Sequence, residues 1–132
     1  MTRAQVEAAV INAYARPFRW GSADCCVAAC DAFLALWGVD PLAPWRDRYA
    51  SRVEALRLIR TLGGWRRAAR TMVDRAGLVA GTGALGELGM IRAGAGAALA
   101  IGFGDDVWAA RIDGGLQTVR GALDSWGVPW RR

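Results

Sequence analysis

The stretch Arg16-Pro17-Phe18-Arg19-Trp20-Gly21-Ser22-Ala23-Asp24-Cys25-Cys26 decides how the chain is read. Pro17 closes a preceding helix, because it has no backbone N–H to donate and pushes its predecessor out of helical geometry. Ser22 or Asp24 then opens the next helix, since either side chain can accept from the free N–H groups of a first turn. From Cys25 onward, Cys26, Val27, Cys30, Phe33, Leu34 and Trp37 supply a broad apolar face, and Gly38 is placed to end the run. Such a pattern predicts a buried, central helix over 25–37.

The elements on either side follow from similar signals. Thr2 can cap a helix with Val6, Ala9, Val10 and Ala13 at helical spacing. Beyond Gly38, the loop Val39-Asp40-Pro41-Leu42-Ala43-Pro44-Trp45 is stiffened by its two prolines. Ser51 can cap a third helix carrying Val53, Leu56 and Ile59, stopped by Gly63-Gly64, and a fourth runs from Trp65 to about Arg75. The pattern changes after Gly77. Short apolar runs at 88–91, 97–103, 107–112 and 116–119 are separated by Asp105-Asp106 and Asp113-Gly114-Gly115, which read as tight antiparallel connections. Leu123 to Trp130 reads as a helical turn finishing in a strand. The expected fold is therefore α+β: one domain over 1–132, helical to about residue 77, with a small antiparallel sheet from about 84 packed on the central helix.

Composition sets outer limits. With 132 residues, 54% of them hydrophobic, one domain can bury roughly two-thirds of its unfolded surface. The most apolar run, 93–103, is too short to span a bilayer, so no membrane span is expected. The first residues read as an amphipathic helix rather than a signal peptide, and the expected place of synthesis and folding is a cytoplasm. All 17 basic residues are arginine, which with abundant Gly and Ala suggests the coding bias of a GC-rich bacterial or phage genome. The net charge of +5 is dispersed among acidic residues, which argues for a solvated mixed surface and against a nucleic-acid partner.

Chemistry is possible at the cysteines. Cys25, Cys26 and Cys30 lie within one short segment. A disulfide between Cys25 and Cys26 would be strained, and Cys26 and Cys30 are poorly placed for bridge geometry, so free thiols are expected. A metal or iron–sulfur centre would want a fourth ligand and a more open spacing, so neither metal nor cofactor is expected. Cys26 and Cys30 read as small apolar core residues. Cys25 stands at the first turn, where unpaired N–H groups and the helix dipole favour a thiolate. Yet the chain has no histidine to act as its base. Asp24 beside it would cap the helix and raise the thiol pKa, while Asp105, Asp106 and Asp113 read as turn residues.

Trp20-Gly21 followed by Asp24-Cys25 at a helix start resembles the NlpC-like cell-wall cysteine peptidases, a compact papain-like family. The ordered set Pro17-Phe18, Trp20-Gly21, Asp24-Cys25-Cys26, Asp31, Gly38, Asp40-Pro41 and Arg48-Tyr49 resembles a related group of small proteins encoded in tail-gene clusters of tailed phages and prophages. Leu99-Ala100-Ile101, Gly104 and Gly115-Leu116 fit that pattern more loosely. The resemblance implies a papain-like core with Cys25 at the nucleophile position. It also implies that Ala98 stands where the family's histidine base would be, and Ala110 at the third, orienting position.

A nucleophile without its base implies a non-catalytic component of a phage tail tip or baseplate. Such a component would be assembled in the bacterial host cytoplasm, located in the virion, and partnered by other tail-tip or hub proteins. Trp45, Trp65, Trp126, Trp130 and Arg131 are the candidate interface residues, since Trp and Arg commonly anchor interfaces; Trp20 and Trp37 are expected in the core. The alternatives are a peptidoglycan cysteine peptidase using Cys25 with an unorthodox or partner-supplied base, and a module that binds cell-wall peptide without turnover.

Overall fold

The structure, a computed structural model, describes residues 1–130. Helix α1 (Arg3–Tyr14) begins at a reciprocal capping box: the Gln5 N–H donates to the Thr2 hydroxyl, and the Thr2 N–H to the Gln5 side chain. It buries Val6, Val10, Ala13 and Tyr14 against α2 (Cys25–Trp37). Helix α2 is central, as its composition predicts. Val27, Ala28, Ala29, Cys30, Ala32 and Phe33 are all buried, and Gly38 closes it with φ +74, donating its N–H to Leu34. Helices α3 (Arg52–Thr61) and α4 (Trp65–Arg75) complete the helical half, α3 capped by Ser51 through the Glu54 N–H.

Strands β1 (Val79–Ala80), β2 (Leu88–Ala93), β3 (Gly96–Gly104), β4 (Val107–Ile112), β5 (Gly115–Arg120) and β6 (Asp124–Gly127) form one antiparallel sheet. Its order among the described residues is β1-β6-β2-β3-β4-β5. Strands β2 to β5 form a meander. Asp105 and Asp106 turn the β3–β4 hairpin with φ of +54 and +58, the paired left-handed conformation of a primed turn. The chain then crosses back so that β6 pairs with β2, Trp126 facing Leu88. The α+β class is as the sequence predicts. The short β1 is an addition, and the expected helical turn near Leu123 is absent because that residue's N–H donates to the Met90 carbonyl and begins the β6 pairing.

The sheet buries both faces. Leu88, Met90, Leu99, Ile101 and Ala109 pack towards the helices with Val27, Phe33, Val73 and Trp126. Alternate residues Ile91, Ala98, Ala100, Trp108 and Ala110 form a second cluster. Gly89 is needed there: a Cβ on it would lie 2.5 Å from the Trp108 ring.

The tryptophans are distributed differently from expectation. Trp126, a candidate interface residue, is buried in the main core, because its strand lies between β1 and β2. Trp37, expected in the core, packs against it while half-buried, and Trp20, also expected there, is half-buried outside it. Trp20 stacks edge-on with Phe18, and Trp37 donates its indole N–H to the Gly86 carbonyl at 2.9 Å. Trp108 is the tryptophan that is fully enclosed.

Candidate functional site

Asp24 organises the start of α2. One of its carboxylate oxygens accepts the N–H groups of Cys26 and Val27 at 2.9 and 3.0 Å. The other accepts the Gly21 N–H at 2.7 Å, and the Tyr49 hydroxyl also donates to this carboxylate. Asp24 is buried, so each of these bonds offsets the cost of desolvating its charge. Gly21 meets Tyr49 a second time, through the backbone. Its φ is +85, and a Cβ there would lie 2.1 Å from the Tyr49 carbonyl oxygen. Glycine alone can occupy that point.

The loop carrying Tyr49 is tied down by charge. Arg46 bridges Asp40 and Asp31, each at 2.8 Å, and Asp31 also receives Arg16. Asp40 further accepts the Leu42 N–H, and its carbonyl takes Arg75 at 2.8 Å. Asp31 and Asp40 belong to the 31–49 motif, and through Arg46 they clamp loop 38–49 to α2. On the opposite side, buried Arg111 binds the carbonyls of Ile112, Gly115 and Arg16 and lies over the Phe18 ring, pinning 16–18 to β4.

Cys25 emerges between these two clamps. Its sulfur lies beside the Cys26 thiol and the backbone N–H groups of Cys26 and Leu99. Those donors lower its pKa, led by the Cys26 thiol, against burial and the Asp24 charge, which raise it. Cys26 is held well up, first by giving its S–H to Cys25 and then by burial. Burial likewise raises Cys30, and Tyr14, whose hydroxyl donates to the Ala109 carbonyl at 2.9 Å. The three cysteines are free, and Cys25 is the one whose pKa is lowered.

The half-buried Cys25 thiol lies in the wall of a cavity of about 620 Å³, enclosed by loop 42–49, α3, α4 and the β2–β3 turn. Leu42, Trp45, Leu56, Ile59, Trp65 and Met72 make its lining predominantly apolar. Trp45 and Trp65, candidates for an outer interface, are half-buried and turned into this cavity. Trp65 rests over Gly96, where a Cβ would lie 3.1 Å from the indole nitrogen. Trp130 is exposed, at 60%, and Arg131 lies outside the described residues.

Ala98 also lines the cavity, and Ala110 shares its cluster with it; Cys25 packs against that cluster. The three positions read from the resemblance thus lie in one neighbourhood, which is apolar apart from the Asp24 carboxylate beside the thiol. Asp24, Cys25 and Cys26 place one ligand atom each within 4.8 Å of the others. They fit a metal ion poorly, because the Asp24 oxygens are engaged by N–H and hydroxyl donors and two thiols remain. Sequence reading missed Tyr49, Arg111 and the Leu99 N–H as parts of the site. Tyr49 stands in a motif that gives it no role, while Arg111 joins the cavity wall and Leu99 comes beside Cys25 only through folding.

No helix among the described residues is long and apolar enough to cross a membrane. No curated protein and no solved structure matches the chain. A family match covers residues 2–128, which includes Cys25, both clamps and the whole sheet, and the chain therefore belongs to the family described as a domain of unknown function, DUF6950.

Proposed function

We propose that this chain is a papain-like, NlpC-related domain that has lost its catalytic base and serves as a structural component of a phage tail tip or baseplate. The observation that carries the first half is the surroundings of Cys25: a cysteine at the start of a central helix, packed against a cluster in which alanine occupies positions 98 and 110. Alanine at those positions can neither take a proton nor activate water, and the nearby Asp24 carboxylate is committed to the N–H groups of Gly21, Cys26 and Val27. The tail assignment rests on the likeness of residues 17–49 to proteins of tail-gene clusters. Support for a binding role comes from the surface. Trp130 is exposed, and β5 is an edge strand with Leu116 and the neighbouring Ile112 exposed, so its unpaired side is open to a neighbouring tail protein.

The test is mass spectrometry of purified phage particles from a strain that encodes the chain, paired with an assay of peptide release from peptidoglycan. Stoichiometric presence in particles with no release is expected. Absence from particles would sink the tail assignment, and release abolished by Cys25→Ala would sink the loss of catalysis. One observation favours the second reading, a cysteine hydrolase: the Cys26 thiol and two backbone N–H groups beside the Cys25 sulfur lower its pKa.

A further inference from the structure

Cys25 and the apolar cavity meet at one place. Helix α3 lends Leu56, Leu58 and Ile59 to the cavity wall, joined by Leu62 just beyond its end, while Ala55 is its one buried residue, so its apolar side faces open volume. The cavity, at about 620 Å³, lies within the roughly 300–1,000 Å³ typical of small-molecule sites. Apolar cavities take up apolar ligands readily because water makes few hydrogen bonds inside them. A peptide bearing ionised carboxylates would surrender its hydration here for little return. A linear aliphatic chain would surrender almost none. The exposed Arg52 at the same wall suits an anionic group left outside.

The thiol adds chemistry to that shape. A thiol ester is an activated acyl group, and the thiolate fraction of a cysteine attacks it without a separate base. Hydrolysing the product is a different problem, because water must then be activated: Ala98, Ala110 and Ile91 of the adjoining cluster cannot do it, and the Asp24 carboxylate beside the sulfur has both oxygens engaged by the N–H groups of Gly21, Cys26 and Val27. The site supports acylation and lacks the means of deacylation.

We propose that Cys25 is a site of stable S-acylation, its thioester-linked aliphatic chain lodged in the cavity between the α3–α4 pair and the β2–β3 turn. The donor is a long-chain acyl thioester of a phosphate-bearing carrier thiol. The Cys25 sulfur attacks the thioester carbonyl carbon, and a new C–S bond forms as the carrier's C–S bond breaks. The carrier departs as a thiolate and takes a proton from water, with no change of oxidation state. This goes beyond the tail reading and holds whether or not the chain enters a particle.

The test treats the full chain with palmitoyl-coenzyme A and, separately, acetyl-coenzyme A at neutral pH, followed by intact-mass and peptide mass spectrometry. One palmitoyl group on Cys25 is expected, lasting for hours, released by neutral hydroxylamine and absent from Cys25→Ala. Palmitoyl transfer should exceed acetyl transfer by about tenfold or more, because methylenes enter the cavity in one case only. Leu56→Glu should suppress palmitoyl transfer by about tenfold or more, with circular dichroism and iodoacetamide labelling of Cys25 in the same variant reporting that the site is folded. No adduct on protein whose Cys25 still reacts with iodoacetamide would overturn the proposal. So would equal rates for the two chains, or release of free fatty acid without a lasting adduct, which would point to a hydrolase.

Discussion

The backbone carbonyl of Tyr49 occupies the place where a side chain on Gly21 would begin, 2.1 Å from the position of its Cβ. Through this contact the turn before α2 and the clamped loop 38–49 are set against each other, with Asp24 bonded to both residues. Gly21→Ala therefore meets two costs, a clash with backbone and a φ of +85 that alanine rarely adopts. A loss of about 2–4 kcal/mol in denaturant unfolding is expected. Faster alkylation of Cys26 should accompany it as the loop lifts.

Asp24 should tolerate no isostere. Asp24→Asn keeps one accepting oxygen but presents an amide NH₂ to donors that the second oxygen now receives. A cost of about 1–3 kcal/mol is expected from the donors left unsatisfied, and Asp24→Ala should cost more through loss of the cap. Urea unfolding of the two variants beside the native protein measures both.

Cys25 should titrate below an ordinary thiol, and Cys26 should be the reason. Iodoacetamide labelling across pH, read residue by residue, should show Cys25 reacting first, Cys26 only at higher pH, and buried Cys30 protected until unfolding. Cys26→Ala removes the leading donor and should shift the labelling midpoint upward. Cys26→Ser, whose hydroxyl can still donate, should restore most of the shift. Equal midpoints in all three proteins would dismiss the donor role.

Alkali should destabilise the fold. Cys26, Cys30, Tyr14 and Tyr49 all have folded pKa values raised above their ordinary 9.0 or 10.0, so they stay protonated in the folded chain after the unfolded chain has released them. The unfolded state then binds fewer protons, and stability falls as pH rises. Their contribution is complete below about pH 9 and declines above it by about 1.4 kcal/mol per pH unit for each group fully titrated in the unfolded state. Cys25 acts in the opposite sense, its stabilisation growing as pH climbs towards 9.0, but it is one group against four. Thermal midpoints from about pH 7 to 11 should be flat at first and then drop steeply.

The second cluster should be intolerant of added volume. Gly89→Ala would drive a methyl into the Trp108 ring, which is itself enclosed and bonded to Asp106 at 3.1 Å. A loss of about 1–3 kcal/mol is expected, visible also as a shift in tryptophan fluorescence.

Local signals make the helices legible. Thr2, Asp24 and Ser51 are caps whose effect depends on the next three residues, and Gly38 ends α2 through its own backbone freedom, so each can be read without knowing what lies nearby. The hairpin turns are readable for the same reason. Trp126 departs from expectation because its burial depends on a strand crossing back to β2, a partner no neighbouring residue announces. Arg111 alternates like any strand residue, and nothing local says that three carbonyls await it.

The α+β class, the central helix with Cys25 at its first turn, and the lack of histidine can all be had from the linear order of residues. Each depends on neighbours along the chain or on composition. Folding in three dimensions was needed to bring Leu99 and Cys26 to the Cys25 sulfur as donors, to turn Trp45 and Trp65 inward, and to open the thiol into an apolar cavity. Most of those facts arise from contacts between residues far apart in sequence, set by how loop, helix pair and sheet close around one another.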